Sequence, residues 1–238
     1  MFNIKKLFNK TPIIEFYCHP DVEHVIPEPR PASKHIPDWF KKIPTHIPNT
    51  RDTFGDPSMT AKKCMPMVDA MTMGYVIPLC GDLGVHVNND VSEIEFTNPP
   101  LIKLGEFHSR EQLGPKPPGP TAPPVKFINH WVVKTKPGWS TLFIPLINSS
   151  LENPHFTCLG GLVDTDRYPK EVNFPAIWHT AGFNGTLKAG TPLVLAIPVK
   201  RSTLNQRNVV RSMTDKEYAA VDLIRKKEQT EVFVATVP

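Results

Sequence analysis

Apolar and polar positions alternate in short runs along most of the 238-residue chain. Ile13-Ile14-Glu15-Phe16-Tyr17 is the first such run. Met73 to Leu79, Gly84 to Val87 and Glu93 to Phe96 follow, each with the texture of a strand. Phe127 to Lys134, Trp139 to Ile147, Leu159 to Val163 and Val172 to His179 continue the series. Lys136-Pro137-Gly138 reads as a turn. Lys188-Ala189-Gly190-Thr191 turns into Pro192 to Val199, an apolar run of the buried-strand type. Short strands with turn signals between them predict a mainly β barrel or sandwich.

Helical spacing occurs in two places. Ile36 to Lys42 predicts a short helix with Pro37 near its first turn. Thr214 and Glu217 form a T-x-x-E capping box. Tyr218, Val221 and Ile224/Arg225 then recur at helical spacing, and Arg225-Lys226-Lys227 suits the negative end of the dipole. Glu231 to Val237 reads as a last strand, or as an arm lent to a neighbour.

Composition changes this picture through proline. There are 27 prolines, roughly twice the usual ~5% share. They have no period with glycine, which excludes a collagen-like chain. A hydrophobic share of 40% is too high for a disordered chain. No apolar run reaches the ~18 residues of a membrane span, so no membrane partner is expected. An interior proline costs a helix about 3 kcal/mol, which argues against a bundle. Most of the excess lies before Asp69 and in Gly114 to Pro124. Three blocks follow: a proline-rich arm or wrap over 1–70, a β core over 71–201 with a PPII-like loop at 114–124, and a C-terminal helix and strand or arm over 202–238. Arms with few local contacts are costly to order alone, so burial against a neighbour is expected.

Net charge is +4, spread in short clusters such as Lys5-Lys6, Lys62-Lys63 and Lys200-Arg201. These read as solvated faces, and no nucleic-acid partner is expected without a basic stripe. Cys18, Cys64, Cys80 and Cys158 form no C-x-x-C pair and read as reduced thiols. Met1 to Lys10 is basic and amphipathic, without the apolar run of a signal peptide, which suggests a cytoplasmic setting. His19-Pro20-Asp21 has the H-x-D spacing of iron oxygenases, but Pro20 stiffens it and it lies too early in the chain. A loop histidine capped by backbone is preferred, and no metal site is assigned. Trp39, Phe40, Trp131 and Trp178 read as core or inter-subunit anchors and are the candidate oligomer contacts.

Taken in order, Lys126 to Arg201 resembles the core of the dUTPase and dCTP-deaminase β-clip family. Pro137-Gly138-Trp139 is similar to that family's Pro-Gly-Tyr turn. Gly161-Leu162-Val163-Asp164-Thr165-Asp166 is similar to its G-[VL]-I-D-x-D element. Ala189-Gly190-Thr191-Pro192-Leu193-Val194 stands at its turn and last strand, and Met73-Gly74-Tyr75 stands more distantly for its A-G-Y-D. The resemblance implies a β-clip fold and places Asp164, with Asp166, where the family orients a water on the α-phosphate. Asn148, Ser149, Ser150, Gly161 and Tyr168 become ligand-binding candidates. The departures strike the charged machinery. Leu146 replaces an arginine that would neutralise phosphate. Leu195 stands where a glutamine belongs, Tyr168 is one position late, and the arginine-bearing tail is absent. At a strand end, aspartates also serve to bond nearby amides.

A second resemblance spans most of the chain. Phe16-Tyr17-Cys18-His19-Pro20-Asp21, Pro31 to Phe40, Asp69 to Tyr75 and Gly190 to Val194 resemble an uncharacterised family of marine cyanophages and related tailed phages. It implies a phage setting rather than a reaction. The expectation is therefore a non-catalytic, oligomeric phage scaffold or binding component with no cofactor. It would be trimeric as β-clip proteins commonly are, with other virion or host proteins as further partners, located in the host cytoplasm during infection or in the virion. One alternative is a dNTP phosphohydrolase or deaminase using Asp164 with Mg²⁺. The other is a host-directed binding protein.

Overall fold

The structure, a computed structural model, describes residues 12–52, 55–113, 124–149 and 155–234. In chain order the strands and helices are β1 (Ile14–Tyr17), β2 (Arg30–Pro31), α1 (Asp38–Lys42), β3 (His46–Arg51), β4 (Pro57–Met59), α2 (Met65–Thr72), β5 (Tyr75–Pro78), β6 (Leu83–Val87), β7 (Ile94–Thr97), β8 (Gly105–Phe107) and β9 (Val125–Phe127). They continue with β10 (Val132–Thr135), β11 (Trp139–Ile144), β12 (Phe156–Cys158), β13 (Gly161–Val163), β14 (Phe174–Trp178), β15 (Asn184–Leu187), β16 (Pro192–Lys200) and α3 (Asp215–Val234). The chain is mainly β, and every strand pairing is antiparallel.

Two sheets make the frame. One has the order β13-β11-β16-β5-β2, and the other β12-β14-β9-β8. A three-stranded sheet, β15-β6-β7, and the pairs β1-β10 and β3-β4 complete the set. Alternation explains the core. Val125 and Phe127 on β9, and Phe174, Ala176 and Trp178 on β14, turn inward at every second position and are almost fully buried. Ile77, Leu79, Leu83, Val87, Leu104 and Val194 join them in one cluster. Apolar burial of this kind contributes about 25 cal/mol per Å² removed from water.

Proline is accommodated where a ladder ends. Leu159 N bonds the Pro175 carbonyl just past the end of β12, where the ring nitrogen has no amide to return. Pro198 lies beyond Ala196, the last β16 residue paired to β5. Gly74 enters β5 at φ 74°, and a Cβ there would stand 2.6 Å from the Ala196 carbonyl oxygen.

Several expectations change. Phe127 to Lys134 is two strands, because Asn129 turns the chain: its side chain accepts from Trp131 N at 3.0 Å and donates to Trp131 O at 2.6 Å. Met65 to Thr72, for which the sequence pattern predicts no element, is helical. Within the proline-rich block, β1 pairs β10 and β2 pairs β5, so part of the wrap joins the sheets. The predicted last strand is also replaced: α3 runs on through Glu231 to Val234. Its capping box fixes the start, and an Asp222–Lys226 pair at 2.6 Å supports its interior. Arg225 therefore lies mid-helix rather than at the end. Met1 to Lys10, the loop over 114–123 and the last four residues lie outside the described residues.

Candidate functional site

β10 and β11 are joined by a tight turn at Gly138 (φ 83°), and β16 ends beside it, with Lys200 opposite Trp139. Arg201 therefore emerges next to the segment that leaves β13. Its Nη1 donates to Asp166 Oδ1 at 2.7 Å, and its Nη2 donates to Asp166 Oδ2 at 2.5 Å. This is the two-pronged guanidinium–carboxylate geometry, the strong form of a charged hydrogen bond. Gly138 N adds a third bond to Oδ2 at 2.8 Å. Asp164 Oδ1 accepts from Ser140 Oγ at 2.6 Å and lies 3.2 Å from Arg201 Nη1.

The Asp166 side chain is only 6% exposed, against 47% for Asp164. The Arg201 guanidinium, followed by the Gly138 amide, holds the Asp166 carboxyl down at about 2 against the opposing effect of burial. Beneath the clasp the Thr165 hydroxyl lies 2.8 Å from those of both Thr135 and Thr141, all three residues buried. The cluster thus ties together the ends of β10, β13 and β16 and the start of β11.

The sequence places Arg201 in a solvated charge cluster, whereas in the structure it is bound to Asp166. Its signal was positional: it follows a long buried strand whose register returns it to the Pro137-Gly138 turn.

A second feature is a cleft of about 680 Å³. It is lined by β12 with His155 before it, by Pro145, Leu146 and Ser149 after β11, by Leu187 and the start of β16, and by Lys34, Asp38 and Lys41 of the arm. Burial, with Arg30 and Lys41 nearby, lowers the His35 pKa and so favours the neutral ring. Burial raises the Cys158 thiol well above its ordinary range, so it is not a thiolate nucleophile.

The remaining candidates are scattered. Asn148 holds φ 59°, and its carbonyl accepts from Trp39 Nε1 at 2.9 Å, fixing the arm to the cleft wall. Ser149 Oγ donates to Leu146 O at 3.0 Å. Ser150 lies outside the described residues. Gly161 is exposed on the edge strand β13, where a Cβ would meet nothing. Tyr168 shares a shallow groove with Tyr17 and Asp166, and that groove has no lining residue in common with the cleft among the described residues. Three of the four oligomer-contact candidates are enclosed within the chain, and Trp39 is half-buried. Phe40, Trp131 and Trp178 are buried, Trp131 Nε1 donates to Pro27 O, and Trp178 Nε1 donates to Thr180 O. Anchors so enclosed have little surface left for a neighbour. His19 Nδ1 accepts from Asp21 N at 3.3 Å, capping a short turn. Among the described residues no three His, Cys, Asp or Glu side chains are grouped to hold a metal, and no helix is long and apolar enough to cross a membrane.

What fold and site define together is a mainly β chain with a neutralised carboxylate cluster and a separate open cleft. No family model matches the chain, and no curated protein matches it. Among solved structures, it is similar to the native dUTPase of EIAV at a TM-score of 0.33 and 10% identity, over 60% of this chain and 87% of that one. Nothing about chemistry follows from so distant a likeness.

Proposed function

We propose that this chain is a non-catalytic, self-associating binding or scaffold component, of the kind a tailed phage makes in the host cytoplasm and carries in or alongside its particle. The observation that carries the non-catalytic part is the clasp. Both Asp166 oxygens are taken by Arg201 and Gly138, and Asp164 is engaged by Ser140 and Arg201. A general base or metal ligand needs a carboxylate with free lone pairs facing substrate, and here the positive charge is already bound.

Self-association is supported by the segment after β16. Val209, Val210, Met213, Tyr218, Leu223 and Ile224 are all more than half exposed, and among the described residues no strand packs extensively on α3. Most of a helix's stability in a protein comes from packing one face against other elements, so a protein surface for α3 to lean on is expected. A trimer is the first expectation, from the β-clip resemblance. The phage setting rests on the sequence segments that carry the second resemblance.

One feature favours the enzyme alternative: Asp164 is half-exposed, and its Oδ2 has no partner among the described residues. The purified protein incubated with Mg²⁺ and each dNTP decides between the two. No pyrophosphate above the buffer control is expected. Release that disappears in Asp164→Asn would establish a phosphohydrolase instead.

A further inference from the structure

α3 and the segment that leads into it form an exposed surface of their own. Val209, Arg211 and Met213 border a shallow groove of about 450 Å³ together with Glu217 and Val221 of α3. At about 100° of turn per residue, Glu217, Tyr218, Ile224 and Arg225 all fall within roughly 60° of Val221 on the helix surface. Tyr218 and Ile224 are both more than half exposed, and they stand one on each side of Val221 along the helix. An accessible apolar stripe therefore runs along this face, with Val221 at its middle.

The charges on the stripe have opposite signs about that middle. Glu217 lies one turn before Val221 and Arg225 one turn after it. Glu217 holds Arg211 at 2.6 Å, while Arg225 has no ion-pair partner among the described residues. Two such helices laid antiparallel, with their Val221 residues level, bring Arg225 of each copy level with Glu217 of the other. Ile224 of each then comes level with Tyr218 of the other. Laid parallel, they would set Arg225 against Arg225, a like-charge contact that costs affinity. Antiparallel packing also places the positive end of each helix dipole beside the negative end of its neighbour. A stripe complementary to its own reverse fits a twofold contact, in which one patch meets its own copy.

We propose that α3 docks on α3 of a second copy of this chain, the two helices lying antiparallel about a twofold axis at Val221. Burial of Tyr218, Val221 and Ile224 supplies the affinity. The reciprocal Glu217 and Arg225 positions fix direction and register. This deepens the self-association reading and rests on it. It also restricts the count of copies. A twofold contact joins copies in pairs, so a trimer built through another surface would reach six copies through α3, and a chain without such a surface stops at two.

The test uses the full chain with a spin-labelled non-canonical residue at position 219 or at position 230. Both positions lie on the side of α3 away from Val221 by helical spacing. Dipolar spectroscopy then measures the distance between like labels in the assembly. About an antiparallel twofold axis that distance grows from the middle of the helix to its ends, so labels at 230 should stand roughly 10 Å farther apart than labels at 219. In a parallel pair or a threefold bundle the two distances are equal. As a second measurement, Val221→Glu should weaken association about tenfold in sedimentation, while Ala219→Glu on the opposite side leaves it unchanged. Equal label distances, no coupling between labels, or association untouched by Val221→Glu overturns the proposal. If light scattering still finds an oligomer in that case, the α3 contact alone has failed. A monomer would mean that the wider self-association reading has failed as well.

Discussion

Asp166 carries a testable consequence of its environment. Its folded pKa of about 2 lies below the ordinary 3.8. A depressed carboxylate stabilises the fold fully above its unfolded pKa and loses that contribution as pH falls through the folded one. Between these limits the unfolded chain binds more protons, so stability falls as pH falls from about 4 towards about 2. Urea unfolding across that window should show a steeper loss for the wild type than for Asp166→Asn, which has no proton to take up there. Glu217, held at about 2 chiefly by Arg211, adds a similar slope in both proteins and so cancels in the comparison. A neighbouring residue shows how sequence reading fell short: Asp164 and Asp166 were visible as a motif, but Arg201 was not. Two carboxylates at a strand end look alike whether they await a ligand or already hold a guanidinium. Only the register of β11 against β16 decides.

At the scale of elements, α3 is the clearest case of a local signal fixing a local structure. Thr214 N and Oγ1 both donate to Glu217 Oε2, at 2.8 and 2.9 Å, and Glu217 N approaches Thr214 Oγ1 at 3.4 Å. Thr214→Ala should cost the helix about 1 kcal/mol. Because α3 stands off the β frame, the expected outcome is a fall in ellipticity at the helical band with the main thermal transition unmoved. The strands divide by length. β11, β14 and β16 were legible because their apolar positions sit in long or strictly alternating runs. β2, β8 and β12 span two or three residues, too few for a period to appear, and owe their form to the strands beside them. α2 was missed because Met65-Pro66 follows a proline-rich stretch, and proline marks a break as readily as a first helical turn. Of the candidate site, the cleft could not be read at all, since its walls come from four separate parts of the chain.

For the whole molecule, the described proline-rich block acts in part as an intrachain brace, pairing through β1 and β2 and anchoring through Trp39. The exposed β3–β4 hairpin and the segment from Leu204 to Lys226 are what the chain leaves outward. Light scattering on the purified chain should therefore give an oligomer, and Leu223→Glu with Ile224→Glu should shift it towards monomer. A monomer in the wild type would count against self-association.

If the carboxylate pair is structural, a double-mutant cycle between Asp166 and Arg201 will show it. Urea unfolding of wild type, Asp166→Asn, Arg201→Met and the double variant should each give a cooperative transition. Each single variant is expected to lose stability, since it leaves the other partner of the clasp unmatched. The two losses are expected to be coupled, so that the double variant loses much less than the sum. Single variants as stable as the wild type, with additive effects, would contradict it, because residues held ready for a ligand can be removed without loss of stability.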